Sequence, residues 1–215
     1  MPTTGRPRTV DRVPDRASDR VHGRAHGRVH GRADSGVPPP VVRPLWDDDV
    51  PTLARLNDAA VPAVNALGTA GLRDHLPRCR LALVVDAGRG PEALLLALGP
   101  GADYASENYS WFSRERPGSL YVDRVVVAQR LRRLGVGRSL YAQVAAHAAE
   151  HGFEEVTCEV NLEPPNPDSL AFHRSLGFRT VGRQETKGGT VRVALMAVPT
   201  EHLARLGRPD RRRQG

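Results

Sequence analysis

Only two cysteines, Cys79 and Cys158, occur in the 215 residues, and their wide separation fits neither a disulfide framework nor the paired spacing of a zinc site. They are expected to be reduced core thiols, and no metal is expected. No apolar run is long enough to span a bilayer, and the arginine-rich start lacks the hydrophobic stretch of a secretory signal. The expectation is a soluble, cytoplasmic protein with no membrane partner. Two domains of comfortable size do not fit in this length, so one is expected.

The chain does not lack basic charge: its pI is about 10.3 and its net charge +7. That charge sits at the ends. Residues 1–40 hold eight Arg against four Asp, and residues 205–215 hold five Arg against one Asp. Together they exceed the net charge, which leaves 41–204 close to neutral. A basic nucleic-acid-binding fold is therefore not expected. The first 40 residues repeat with a period of four (DRVP, DRAS, DRVH, GRAH, GRVH, GRAD) and close on PPP. Regular Pro and Gly oppose helix, and Val and Ala are too sparse for a core, so a disordered low-complexity tail is expected at 1–40. His22, His26 and His30 recur in it as part of the repeat. A folded domain is expected over 41–200 and a basic tail over 201–215.

From Val41 the texture changes. VVRPLW predicts a strand, DDDVPTLARLNDAA a helix with acidic residues at its positive end, and VPAVNALG the start of a second helix. LALVVDAG and EALLLALG predict a hairpin. DYASENYSWFSRERPG reads as a loop before SLYVDRVVVA, the strongest strand signal. Residues 139–151 predict a helix that stops at Gly152, EEVTCEVN a strand, and Asn166-Pro167 a capped helix start. FRTVGR and TVRVALMAV predict two strands about a KGG turn. The expected class is α/β (α+β): a mixed sheet with helices on its faces.

QRLRRLGVGRSLY, Gln129 to Tyr141, places four arginines and two glycines between a strand and a helix. A strand–turn–helix of this kind aims several backbone N–H groups at one point where the helix dipole also favours negative charge. It reads as an anion site. Gly135 and Gly137 would let the anion approach the backbone, and Arg132, Arg133 and Arg138 would add charge. The turn lacks the Lys-Ser/Thr pair of a P-loop and the third glycine of a dinucleotide fingerprint.

VVVAQRLRRLGVGRSL resembles the acetyl-CoA motif of the GNAT superfamily of N-acetyltransferases, Arg/Gln-x-x-Gly-x-Gly/Ala after a strand, with Arg132, Gly135 and Gly137 filling it. A second block of that family, an Asn opening a helix that ends in Leu-Gly-Phe, is present as NPDSLAFHRSLGF. The resemblance runs from about Val41 to Val198. It implies a mostly antiparallel central sheet of about seven strands flanked by helices. It also implies acetyl-CoA as co-substrate, with its diphosphate on the N–H groups of Arg133, Leu134, Gly135, Val136, Gly137 and Arg138. The pantetheine arm would pair with the backbone of Val125, Val126 and Val127, and Asn166 would bond the arm near its end. Family members commonly carry Tyr where His173 stands, as the acid that protonates the departing thiolate.

For the proton acceptor two carboxylates stand out. Glu159 is on the polar side of its strand, and Asp123 is on the central strand, where burial would raise its pKa. The first helices and the loop before the central strand usually set specificity in that superfamily, which points to Asn57, Asn65, Asn108, Tyr109 and Trp111. These uncharged groups suit a small-molecule amine, acetylated by direct attack. A protein amino terminus or lysine as acceptor, and a non-catalytic acyl-CoA-binding module, are the alternatives. A final-strand edge and an exposed helix allow a homodimer.

Overall fold

The computed structural model describes residues 40–206. The expectations for 1–39 and 207–215, including the histidine repeat, lie outside them. Strand β1 (Val41–Pro44) leads through a 3-10 turn into α1 (Val50–Asp58) and α2 (Gly68–His75); β2 (Leu81–Asp86) and β3 (Pro91–Leu98) form a hairpin; α3 (Glu107–Glu115) precedes β4 (Ser119–Val127). Then follow α4 (Val136–Glu150), β5 (Glu155–Glu163), α5 (Pro167–Ser175), β6 (Arg179–Thr186), β7 (Val191–Pro199) and α6 (Thr200–Leu206). None of the described helices is long and apolar enough to cross a membrane.

The seven strands form one sheet in the order β1-β2-β3-β4-β5-β7-β6. Only β4 and β5 run parallel; every other neighbour is antiparallel. Alternation along the strands builds a core on each face. Leu83, Leu95, Leu120, Val156, Cys158 and Met196 pack under Leu140 and Val144 of α4. On the other face Val84, Leu94 and Leu96 meet Leu53 and Leu72 of α1 and α2, and Tyr121, Val193 and Leu195 meet Tyr109 and Phe112 of α3.

Two irregularities coincide on β4. Leu96 pairs with Arg124 and Ala97 with Val122, so Asp123 is the extra residue of a β-bulge. On the opposite edge the parallel pairing with β5 ends at Val122–Cys158. Beyond that point β4 stays bonded to β3 through Val127, and β5 to β7, but the two are no longer bonded to each other. The bulge turns Arg124, the residue after Asp123, to the α1–α3 face.

Several predicted boundaries change. The second helix opens only at Gly68, the last residue of VPAVNALG, and residues 61–67 precede it without helix. The segment read as a loop holds α3: the Ser106 hydroxyl accepts from the Tyr109 N–H, and Tyr109 and Phe112, three apart, are both buried. The domain also runs past 200. Residues 201–206, expected in the basic tail, form α6, because Leu203 joins the core cluster beneath α4.

If α6 is part of the fold, Leu203→Ala lowers stability by about 2–5 kcal/mol in urea unfolding. Arg205→Ala, which removes only an exposed pair with Glu201, changes it little.

Candidate functional site

The arginine-glycine turn opens α4 as expected. Arg133 and Gly135 take left-handed φ values of 64° and 83°, and Gly135 is the residue before the first helical turn. The first helical bond runs from the Ser139 N–H to the Gly135 carbonyl, so the preceding N–H groups of Val136, Gly137 and Arg138 point out of the helix start. Arg132 Nε donates to the Val127 carbonyl at 3.2 Å, which ties the turn to the end of β4. The two glycines serve different ends. Gly135 is required by its backbone angle; a Cβ at Gly137 would sit 2.8 Å from Phe172 Cζ, so Gly137 is required by the approach of α5 to α4.

Below this turn the unpaired edge of β4, including Val125, Val126 and Val127, faces the edge of β5 across the opening. A cavity of about 450 Å³ fills it, reached by Val125, Cys158 and Val160, by Asn166 and Ser169 at the start of α5, and by Tyr141 and His173. Asn166 caps α5, its side-chain oxygen accepting from the Ser169 N–H at 3.3 Å. The outward N–H groups at the start of α4 and the free strand edge of β4 are thus two sets of unpaired backbone groups, and the cavity lies along the second. Among the described residues no group of three or more His, Cys, Asp or Glu is arranged to hold a metal ion.

His173 is buried, and both its ring nitrogens are engaged. Nδ1 lies 2.8 Å from the Ser169 carbonyl, which requires Nδ1–H and leaves Nε2 to accept from the Tyr141 hydroxyl at 2.8 Å. Burial lowers the His173 pKa, with the Ser169 contact offsetting part of it, and burial raises that of Tyr141. In this tautomer Nε2 carries no proton to give, and the donor bonded to it is the Tyr141 hydroxyl. The sequence singled out His173 and missed its partner, which lies on a different helix.

The two candidate bases stand on either side of the opening in opposite states. Asp123 Oδ2 accepts from Arg124 Nε at 2.6 Å and from His75 Nε2 at 3.2 Å, and Oδ1 accepts from the Tyr104 hydroxyl at 2.8 Å. Burial by itself would raise this carboxyl, but the His75 hydrogen bond and the Arg124 charge outweigh it and hold the pKa below the ordinary range. The expected upward shift is thus reversed, because the bulge brings a buried arginine to the same carboxylate. Glu159, also enclosed, is pushed up to about 7 by burial and by the Asp123 charge, offset in part by hydrogen bonds from Tyr121 and Asn108. The Tyr121 hydroxyl donates to Glu159 Oε2 at 2.7 Å.

Of the five expected substrate contacts, Asn65 and Asn108 line the cavity. The other three are structural. Asn57 is buried, its amide donating to the Asn65 carbonyl and its oxygen accepting from Arg124. The Tyr109 hydroxyl is held between Gly99 and Ala102, and Trp111 packs on Gly182. The sequence reading also missed Lys187, the chain's single lysine, in the β6–β7 turn. Its backbone N–H donates to Glu107 and its ammonium to Asn65 at the cavity wall. Its singularity among so many arginines was the signal available.

Residues 104–178 match the acetyltransferase (GNAT) family model. A stretch of 117 residues is 32% identical to N-alpha-acetyltransferase 80 of Mus musculus, covering 50% of this chain and 35% of that protein. The chain thus spans about a third of the length of this curated relative. Among solved structures, Ard1 of Thermoplasma volcanium aligns with a TM-score of 0.60 and 15% identity, over 74% of this chain and 97% of that one. A phosphinothricin acetyltransferase of Sinorhizobium meliloti, solved with AcCoA, aligns with a TM-score of 0.58 and 15% identity, over 74% and 88% of the two chains. The structural likeness speaks for the fold, and the matched segment covers α3 through α5, where the turn, the parted strands and both sequence blocks lie. Residues 104–178 are therefore similar to the GNAT family of acetyltransferases, and the fold of residues 40–206 is similar to that of solved acetyltransferases.

Proposed function

We propose that the chain is an acetyl-CoA-dependent N-acetyltransferase in which an amine attacks the thioester directly and Glu159 takes the amine's proton. The observation that carries this reading is the cavity between β4 and β5, lined by Val125 on the free edge of β4, by Tyr141 of α4 and by Glu159, a carboxyl whose pKa is about 7. A base with that affinity for protons is half ionised near neutral pH and still strong enough to accept from an ammonium or an attacking amine. The backbone N–H groups of Val136, Gly137 and Arg138 would hold the diphosphate, and the free edge of Val125 to Val127 would bond the arm. A strand N–H at Val126 or Val127 would receive the oxyanion. Acetyl-CoA supplies an electrophilic acyl carbon and a thiol leaving group. On the far wall Tyr141 Oη, backed by His173, is the hydroxyl that would meet the developing thiolate.

The acceptor is a primary amine entering past Asn65, Asn108 and Lys187. The identity with an N-alpha-acetyltransferase supports a second reading, in which that amine is a protein amino terminus. A panel of small amines against peptides with free amino termini separates the two readings. Turnover with either class counts against a module that only binds acyl-CoA.

Three outcomes follow. Acetyl-CoA at 100 times its Kd stabilises the full chain by about 2.7 kcal/mol in a thermal shift, and Gly135→Asp, which puts an anion at the diphosphate position, abolishes that shift. Glu159→Gln keeps the shift but lowers kcat by about 10²- to 10⁴-fold. Because the base acts only when ionised and its pKa is raised, kcat/KM of the wild type rises with pH through about 7 and levels off above it.

A further inference from the structure

Asp123 is a buried carboxylate for which direct proton transfer offers no use: each of its oxygens is already engaged, by Arg124 and His75 on one side and Tyr104 on the other. Its ionised form is the state those partners select, since Arg124 is permanently charged and is itself buried. Across the opening, Glu159 is the residue after Cys158, just as Asp123 is the residue after Val122, and Val122–Cys158 is the last bonded pair. Two carboxylates thus leave the sheet side by side at the point where the strands part, and among the described residues only Asp123 has a permanent cation in contact.

We propose that Asp123 is a positioning residue whose fixed negative charge sets the basicity of Glu159 from the opposite edge of the parted strands, with Tyr121 acting on the same carboxyl in the opposite sense. Burial is the largest influence on Glu159, and among its neighbours these two act on it most strongly. From β4, Tyr121 donates to it and Asp123 repels its ionised form; from α3, the neutral Asn108 bonds to it; from β7, its pairing neighbour is the apolar Leu195. Tyr104 stands behind Asp123 and is bonded to it. Tyr141 and Cys158 face it as neutral groups whose own ionisation is suppressed by burial. Lys187 and Glu107 stand at the cavity wall, each occupied with another residue. Arg124 turns away, its guanidinium running to Asn57 and Asn65. Asp123 thereby separates two carboxyls into two states, one permanently ionised and one poised to exchange a proton.

The consequence for catalysis rests on Glu159 being the base, but the electrostatic coupling does not, so it is measured without an acceptor. The full chain is labelled with [13Cδ]glutamate and titrated by NMR, the Glu159 signal being assigned by its loss in Glu159→Gln. In the wild type that signal titrates near pH 7. Asp123→Asn moves the midpoint down by about one pH unit, Tyr121→Phe moves it up, and Asp123→Glu, which keeps the charge, restores the wild-type midpoint. Asp123→Asn leaves Arg124 buried without its partner; if that variant does not fold, the pair Asp123→Asn with Arg124→Gln removes both charges and is expected to move the midpoint in the same downward direction. A midpoint that stays put in both Tyr121→Phe and the folded Asp123 variant overturns the proposal, as does a wild-type Glu159 that titrates in the ordinary carboxylate range. Full turnover by Glu159→Gln would instead remove the base while leaving the coupling intact.

Discussion

The site depends on a broken pairing. A parallel pair of strands normally bonds along its length, yet β4 and β5 part after Val122 and Cys158. Buried backbone groups that lose a partner are costly unless something else bonds them. The free edge of β4 is therefore open to an extended ligand, which would bond the groups the sheet leaves unpaired. The bulge at Asp123 lies at the same place, on the other edge of the same strand, so one strand departs from regularity toward both neighbours within a residue of each other.

That departure shapes the electrostatics as well as the space. In a regular strand Asp123 and Arg124 would point to opposite faces. The bulge joins them, and the pair anchors a buried chain of contacts through Asn57 to the turn that holds Asn65, with His75 and Tyr104 completing the carboxylate. Burying such a pair gives little net stability, but removing one member leaves the other charge uncompensated. The network thus fixes the position of the α1–α2 segment over the cavity while keeping one negative charge permanently beside Glu159.

The two glycines of the α4 turn illustrate how one motif can answer to two constraints. Gly135 is set by a left-handed backbone angle; Gly137 is set by the ring of Phe172, which lies in the second block four residues before Leu176, the C-cap of α5. The two sequence blocks that point to the same family are therefore also in contact. Their spacing along the chain reflects the intervening strand β5, which has to carry Glu159 to the opening before α5 returns to α4.

The sheet and most of its elements were legible in the sequence because period-two alternation and turn residues are local signals: the hairpin at 81–98, the capped start at Asn166-Pro167 and the turn before α4 all stand where local chemistry places them. The turn before α4 was legible because it is made by consecutive residues. What only the tertiary structure decided involves partners distant in the chain. Asp123 became a locked carboxylate because His75 and Tyr104 fold onto it; Glu159 became the poised one because Tyr121 and Asp123 border it; His173 lost a free nitrogen to Tyr141; and Asn57 and Tyr109 turned out to hold the scaffold. A side chain's type is fixed by the sequence, but its proton affinity is set by burial and by charges brought near in space, which no local pattern encodes.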